Sequence, residues 1–299
     1  MRPIRSLLVY FLLVFVGGAL LAPWLYWLTL NLAAHRPSFE KLASNPFHRF
    51  VDRAFLGVAV LGLWPLWRSC RMLHRRDLGL TGRGRLLLDV ACGFLLGFGS
   101  LASVALLAIL FGGRSFNSAH SGSQLVGHVI SAGLAAFIVA ILEEILFRGT
   151  LFGILRKVQS WPTALVVSSA VYALVHFIRN SASPGAVNWL SGLANLPKMF
   201  QGGPHFIPAV FTLFMAGVTL ALAYQRTGAL FFSMGLHCGW IFWLKSYGFF
   251  TVEAPGANPS IWGTDMLIDG WLALPVLGCI CWIVSRLKAA GEKPGGQTA

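Results

Sequence analysis

Charge is what this chain has least of. Asp, Glu, Lys and Arg make up only 11% of 299 residues, hydrophobic residues make up 56%, and the mean hydropathy is +0.71. Soluble globular domains carry about 25% charged residues, so that class is excluded and a polytopic membrane protein is indicated. Acidic residues are scarcest, ten against 23 Lys and Arg. The basic excess lies in loops between apolar runs, which makes it a topology signal and argues against a nucleic-acid partner. Cysteine is equally sparing: Cys70, Cys92, Cys238, Cys279 and Cys281 are odd in number and show no C-x-x-C spacing, so they read as packed free thiols. Low-complexity tracts, internal repeats and a soluble domain are missing too. The chain therefore reads as one transmembrane domain, 1–290, with a flexible tail, 291–299.

Several catalytic signatures are absent. There is no His-Glu-x-x-His, no Gly-x-Ser-x-Gly, and no Gly-x-Gly-Asp paired with an aspartate in another apolar run. Zinc, serine and aspartic intramembrane chemistries of those types lose their markers. Asp89, Asp265 and Asp269 fall near the ends of apolar runs, where a solvated role is expected.

Eight apolar runs are present: 7–30, 54–67, 86–111, 131–155, 162–178, 206–224, 229–244 and 266–284. Crossing about 30 Å of hydrocarbon takes about 17–25 helical residues, and in lipid each segment must satisfy its own backbone. The fold class expected is all-α, a membrane helix bundle of about eight spans; the run 54–67, short and holding Pro65, is the weakest of them. The first run follows a basic start but is too long for a signal-peptide core, so it reads as a retained helix. An even number of spans puts both termini on one side with the cluster from Arg68 to Arg85. The larger share of basic residues is then on that side, which predicts cytoplasmic termini.

Two connections exceed a simple turn. Residues 31–53 mix Phe39, Leu42, Phe47 and Phe50 with Lys41, Arg49 and Arg53, the pattern of an interfacial amphipathic helix. Residues 180–205 mix Gly, Ser, Asn and Pro with Trp189, Leu190, Leu193, Leu196 and Phe200. Such a stretch lies at the headgroups, either covering a cavity or simply packing there.

Against this apolar background three charges stand inside one run: Glu143, Glu144 and Arg148. Each costs roughly 2.5–3.5 kcal/mol at mid-membrane, so each is a functional candidate with a partner nearby. On an α-helix Glu144 and Arg148 are i,i+4 neighbours with the acid first, the favoured order for an ion pair. Glu143 lies about 140° from Arg148 at 3.6 residues per turn, so it is expected to face elsewhere, into the bundle. Tyr172 and His176 sit one turn apart near the end of the fifth run, and His237 lies among small and apolar residues of the seventh. A carboxylate and an imidazole beside one water can make it a nucleophile, and a second imidazole can stabilise the oxyanion on an attacked carbonyl. That is peptide-bond hydrolysis.

Glu143-Glu144-x-x-x-Arg148, then an aromatic-x-x-x-His motif at Tyr172 and His176, then an intramembrane His237, resembles the CAAX-protease and bacteriocin-processing family of glutamic-type intramembrane proteases, which includes the Ras-converting CAAX endopeptidases. The resemblance covers about 131–285. It implies a membrane endopeptidase in which Glu143 activates water with His176 as partner, His237 stabilises the oxyanion, and Glu144, Arg148 and Tyr172 support the site. The implied partners are the membrane and a peptide or protein cleaved near its surface, and no cofactor is implied. Two positions depart from the family pattern: Tyr172 stands where Phe is usual, and Ile241 stands where Asn or Asp is common one turn after the last His. Ser233 and Tyr172 are the candidate substitute donors. Three alternatives stay open: a divalent metal such as zinc on Glu143, His176 and His237; a non-catalytic peptide-binding or immunity-type protein of the same fold; and a proton-coupled transporter.

Overall fold

The computed structural model describes residues 2–82, 84–178, 186–196, 203 and 205–287. The expected tail, 291–299, and much of 180–205, Phe200 included, lie outside them. In chain order the main helices are α1 (Arg2–His35), α2 (Phe47–Cys70), α3 (Leu86–Leu110), α4 (Gly122–Leu155), α5 (Trp161–Val175), α6 (Ser191–Asn195), α7 (Phe206–Thr227), α8 (Phe231–Phe250) and α9 (Ala273–Ser285). A two-stranded antiparallel ribbon joins β1 (Arg114–Phe116) to β2 (Thr251–Glu253). The protein is an all-α polytopic membrane helix bundle. Each of the eight apolar runs falls on a helix, and α1, α2, α3, α4 and α7 are long and apolar enough to span. α8 rises about 30 Å over its 20 residues but carries His237 and Lys245, while α5 and α9, with 15 and 13 residues, are short for a full crossing.

The chain divides into two compact units, 1–73 with 175–202 and 74–174 with 203–299. In the first, α1 packs on α2 through Ala22, Phe47, Val51 and Ala54, with Leu25, Tyr26 and Phe55 around them. Phe47 and Phe50 both meet the Tyr26 ring edge-on, at 5.7 and 5.2 Å. This corrects the expected interfacial helix over 31–53. α1 continues to His35, residues 37–43 form only two short turns, and α2 has already begun at Phe47, because burying two phenylalanines against Tyr26 gains more than laying them at the interface. The run 54–67 likewise extends to 24 residues with Pro65 inside the helix.

The second unit is organised by the α3–α8 pair. Gly93 and Gly97 of α3 lie against the backbone at Phe232 and Leu236, and Gly235 and Gly239 of α8 lie against Val90, Phe94 and Phe98. Each helix thus brings a Gly-x-x-x-Gly face, the spacing that lets membrane helices approach backbone to backbone. Trp240 Nε1 donates to Ser100 Oγ at 2.9 Å and locks the register. Gly235→Ala would set a Cβ on the Val90 carbonyl oxygen. It is expected to destabilise by about 1–3 kcal/mol, whereas Gly133→Ala on α4, with nothing within 4 Å, leaves the melting temperature unchanged or higher; equal behaviour of the two would remove the seam's importance.

α4 turns Ala136 and Ala140 towards Ile241 of α8, and exposes Ile130, Leu134, Phe137 and Ile138. That stripe is what hydrocarbon, not water, accommodates. At one end of the unit Arg114, 2% exposed, donates to Asp265 Oδ1 at 2.7 Å and to Thr251 Oγ1 at 3.1 Å. Asp265, its side chain 78% exposed, is solvated as expected even while it pairs with Arg114, whereas Asp269 is not, being 9% exposed and accepting from Thr264 N and Oγ1. This turn is also why α9 starts at Ala273 and not at 266: Leu267 takes φ 62°, outside the helical region.

Candidate active site

The three charges of α4 come at a change in the helix. From Glu144 to Phe152 the backbone is π-helical, with i→i+5 hydrogen bonds and a wider turn, a form frequent at functional sites. Glu144 and Arg148 pair at 2.8 Å, Nη1 to Oε1, and both are essentially sealed from solvent, at 0% and 2%. The same Glu144 Oε1 lies 3.0 Å from His237 Nδ1. Glu143 does not face away from this pair, as an α-helical wheel implies. Its Oε2 comes within 3.7 Å of His237 Nε2, because the wider turn begins between the two carboxylates and lets both reach one imidazole.

α8 positions His237 between the two seam glycines, 3% exposed. α5 positions Tyr172, whose hydroxyl is 3.2 Å from His237 Nε2. The Tyr172 ring lies 4.3 Å from the Arg148 guanidinium carbon and edge-on to Phe147 at 5.1 Å. The Arg148 charge is therefore met by a carboxylate and an aromatic face, the pairing a desolvated guanidinium favours. Because Nδ1 faces a carboxylate already held by Arg148, that nitrogen carries the proton, and Nε2 is the nitrogen turned towards Tyr172 and Glu143. A neutral ring accepts through Nε2; a protonated ring donates through it.

Second-unit geometry thus brings together Glu143, Glu144, Arg148, Tyr172 and His237. His176 follows the end of α5, half-buried, and belongs to the first unit. Of the two substitute donors expected, Ser233 donates its Oγ to Leu230 O at 2.9 Å and lies beside the Glu144 carboxylate. Ile241, 6% exposed, is held in the apolar contact with Ala136 and Ala140. Among the described residues no group of three His, Cys, Asp or Glu side chains is placed to hold a metal ion.

Beside the imidazole is a cavity of about 20 Å³, lined by Tyr172, Thr212 and His237 and otherwise by apolar side chains such as Leu101, Trp240 and Leu277. Sequence reasoning missed Thr212, and nothing in its local sequence sets it apart. It also missed the seam glycines, although their four-residue spacing is legible in Gly93, Gly97, Gly235 and Gly239.

Residues 123–243 match the model of a family described as Rce1-like, type II CAAX prenyl endopeptidase Rce1-like. The match runs through every residue of the cluster, His176 and Ile241 included, and bears out the resemblance seen in the sequence. No curated protein and no solved structure matches the chain.

Proposed function

We propose that this chain, whose segment 123–243 matches the Rce1-like family model, is an intramembrane endopeptidase acting by carboxylate-activated water. The observation that carries the reading is the buried junction of two carboxylates on one imidazole within the matched segment. Glu143 is the base: its side chain is 25% exposed, against 0% for Glu144, so water has access to it. The resemblance gives His176 the role of its partner. Glu143 takes a proton from water as the water oxygen bonds to the carbonyl carbon, and the carbonyl electron pair moves onto oxygen. His237, fixed through Nδ1 by Glu144, meets that charge through Nε2 when protonated. As the pair returns, the C–N bond breaks, the nitrogen takes up the proton held by Glu143, and a carboxylic acid and an amine leave, the acid then giving its proton to the amine. Glu144, Arg148 and Tyr172 hold the imidazole, and the reaction needs no cofactor.

The substrate class is a membrane-associated peptide or protein cut near the cytoplasmic surface, the side to which the basic loops assign both termini. Comparative proteomics of membrane peptides from cells carrying the wild-type protein or Glu143→Ala tests this. Fragments that vanish in the variant, at equal membrane levels of both proteins, are expected; identical peptide profiles would overturn the reading. Ile241 favours a second reading, peptide capture without cleavage, because an apolar side chain stands where the family commonly has a polar one. A stable peptide complex that yields no product on long incubation would select it.

A further inference from the structure

The hydroxyls on these helices follow a rule that Thr212 breaks. Thr29, Thr219 and Thr227 each donate to the carbonyl of the preceding turn, at Leu25, Met215 and Ala223, with distances of 2.7–2.8 Å. That bond is the ordinary way a buried helical threonine is satisfied. Thr212, 0% exposed on α7, makes no hydrogen bond to any described residue, and it lines the cavity beside Tyr172 and His237. An unsatisfied buried hydroxyl is costly. A space of about 20 Å³ exceeds the roughly 10–15 Å³ that one water needs, and three polar side chains line it.

We propose that this cavity is an oxygen-binding pocket in which the Thr212 hydroxyl is the donor, to a bound water in the resting protein and to the carbonyl oxygen of the scissile peptide during turnover. With its Nδ1 proton turned towards Glu144 and its Nε2 facing the Tyr172 hydroxyl at 3.2 Å, the His237 ring has a second proton to offer there only when it is protonated. Thr212, on α7, supplies one. As water adds to the carbonyl carbon and the electron pair moves to oxygen, Thr212 Oγ–H strengthens its hydrogen bond and transfers no proton. The apolar remainder of the wall, Leu101, Trp240 and Leu277 among it, keeps bulk water out, which raises the worth of that one bond. The turnover half of the proposal rests on the endopeptidase reading; the resting-state half does not.

The test compares wild type, Thr212→Val, which keeps the shape and removes the hydroxyl, and Thr212→Ser, which keeps the hydroxyl. Quenched peptides ending in the C-a-a-X pattern, S-farnesylated and unmodified, serve as probes, and thermal unfolding is followed in detergent. Thr212→Val is expected to lower kcat by about 10²-fold with KM unchanged, Thr212→Ser to stay near wild type, and Thr212→Val to melt below Thr212→Ser. Wild-type kcat in Thr212→Val overturns the proposal. So does a higher melting temperature for Thr212→Val, the sign of a dry pocket relieved of an unpaired hydroxyl. If the wild-type protein cleaves neither peptide, C-a-a-X substrates are excluded and the endopeptidase reading is left to the proteomic comparison, while the order of melting temperatures decides whether the pocket binds water.

Discussion

Glu143→Gln is expected to lower kcat by about 10²–10⁴-fold, the range a positioned general base contributes, with little change in thermal stability. Gln keeps the length and hydrogen-bonding shape of the side chain but cannot take the proton of an attacking water. Glu143 is the more exposed of the two carboxylates and lies 3.7 Å from His237 Nε2, a separation at which little folding energy is at stake. Single-turnover cleavage together with detergent melting separates the two effects. Unchanged cleavage in Glu143→Gln would move the base elsewhere, and Glu144 is a poor candidate because its carboxylate already serves Arg148 and His237.

Arg148→Ala carries the largest expected loss of stability, about 3–5 kcal/mol. One oxygen of Glu144 serves both Arg148 and His237, and its other oxygen is buried without a hydrogen bond of good geometry to a described residue. Without the guanidinium, a carboxylate at 0% exposure loses its permanent counter-charge, while the Tyr172 face loses the cation resting on it. Charge, not bulk, is the cause, and that has its own check. The double change Arg148→Met with Glu144→Leu removes both charges at similar volume and should regain much of the melting temperature lost by Arg148→Ala. It should still be inactive, since the carboxylate that fixes His237 through Nδ1 is gone. A double variant no more stable than Arg148→Ala would show that packing, and not the uncompensated carboxylate, dominates.

The scaffold was legible in the sequence because hydrocarbon demands long uninterrupted apolar stretches, and each of the eight runs became helical. Ion pairing between Glu144 and Arg148 was legible from their four-residue spacing, which survives a change of helix type. What spacing could not show was that change itself: the wheel assumed 3.6 residues per turn, and the π-helical stretch brought Glu143 to the same imidazole as Glu144. The ends of runs were misread where a tertiary partner decided them, as Tyr26 did for Phe47 and Phe50. Thr212 was invisible for another reason. Its sequence surroundings resemble those of Thr219, and only the position of α7 beside Tyr172 and His237 distinguishes the two hydroxyls.

The π-helical stretch also sets the phase of α4 along its length. Upstream, in Gly122–Glu143, only Ala132, Ala136 and Ala140 are buried; from Phe147 to Phe152 every residue is. A wide turn accommodates one residue more than an α-turn would, so it rotates everything beyond it relative to everything before. Deleting a single residue between 145 and 147 would let an ordinary helix run through and return Arg148 to a different azimuth, although no functional side chain had been touched. Reading frame along a helix, measured in degrees and not in residue identity, is thus a determinant of this site in its own right.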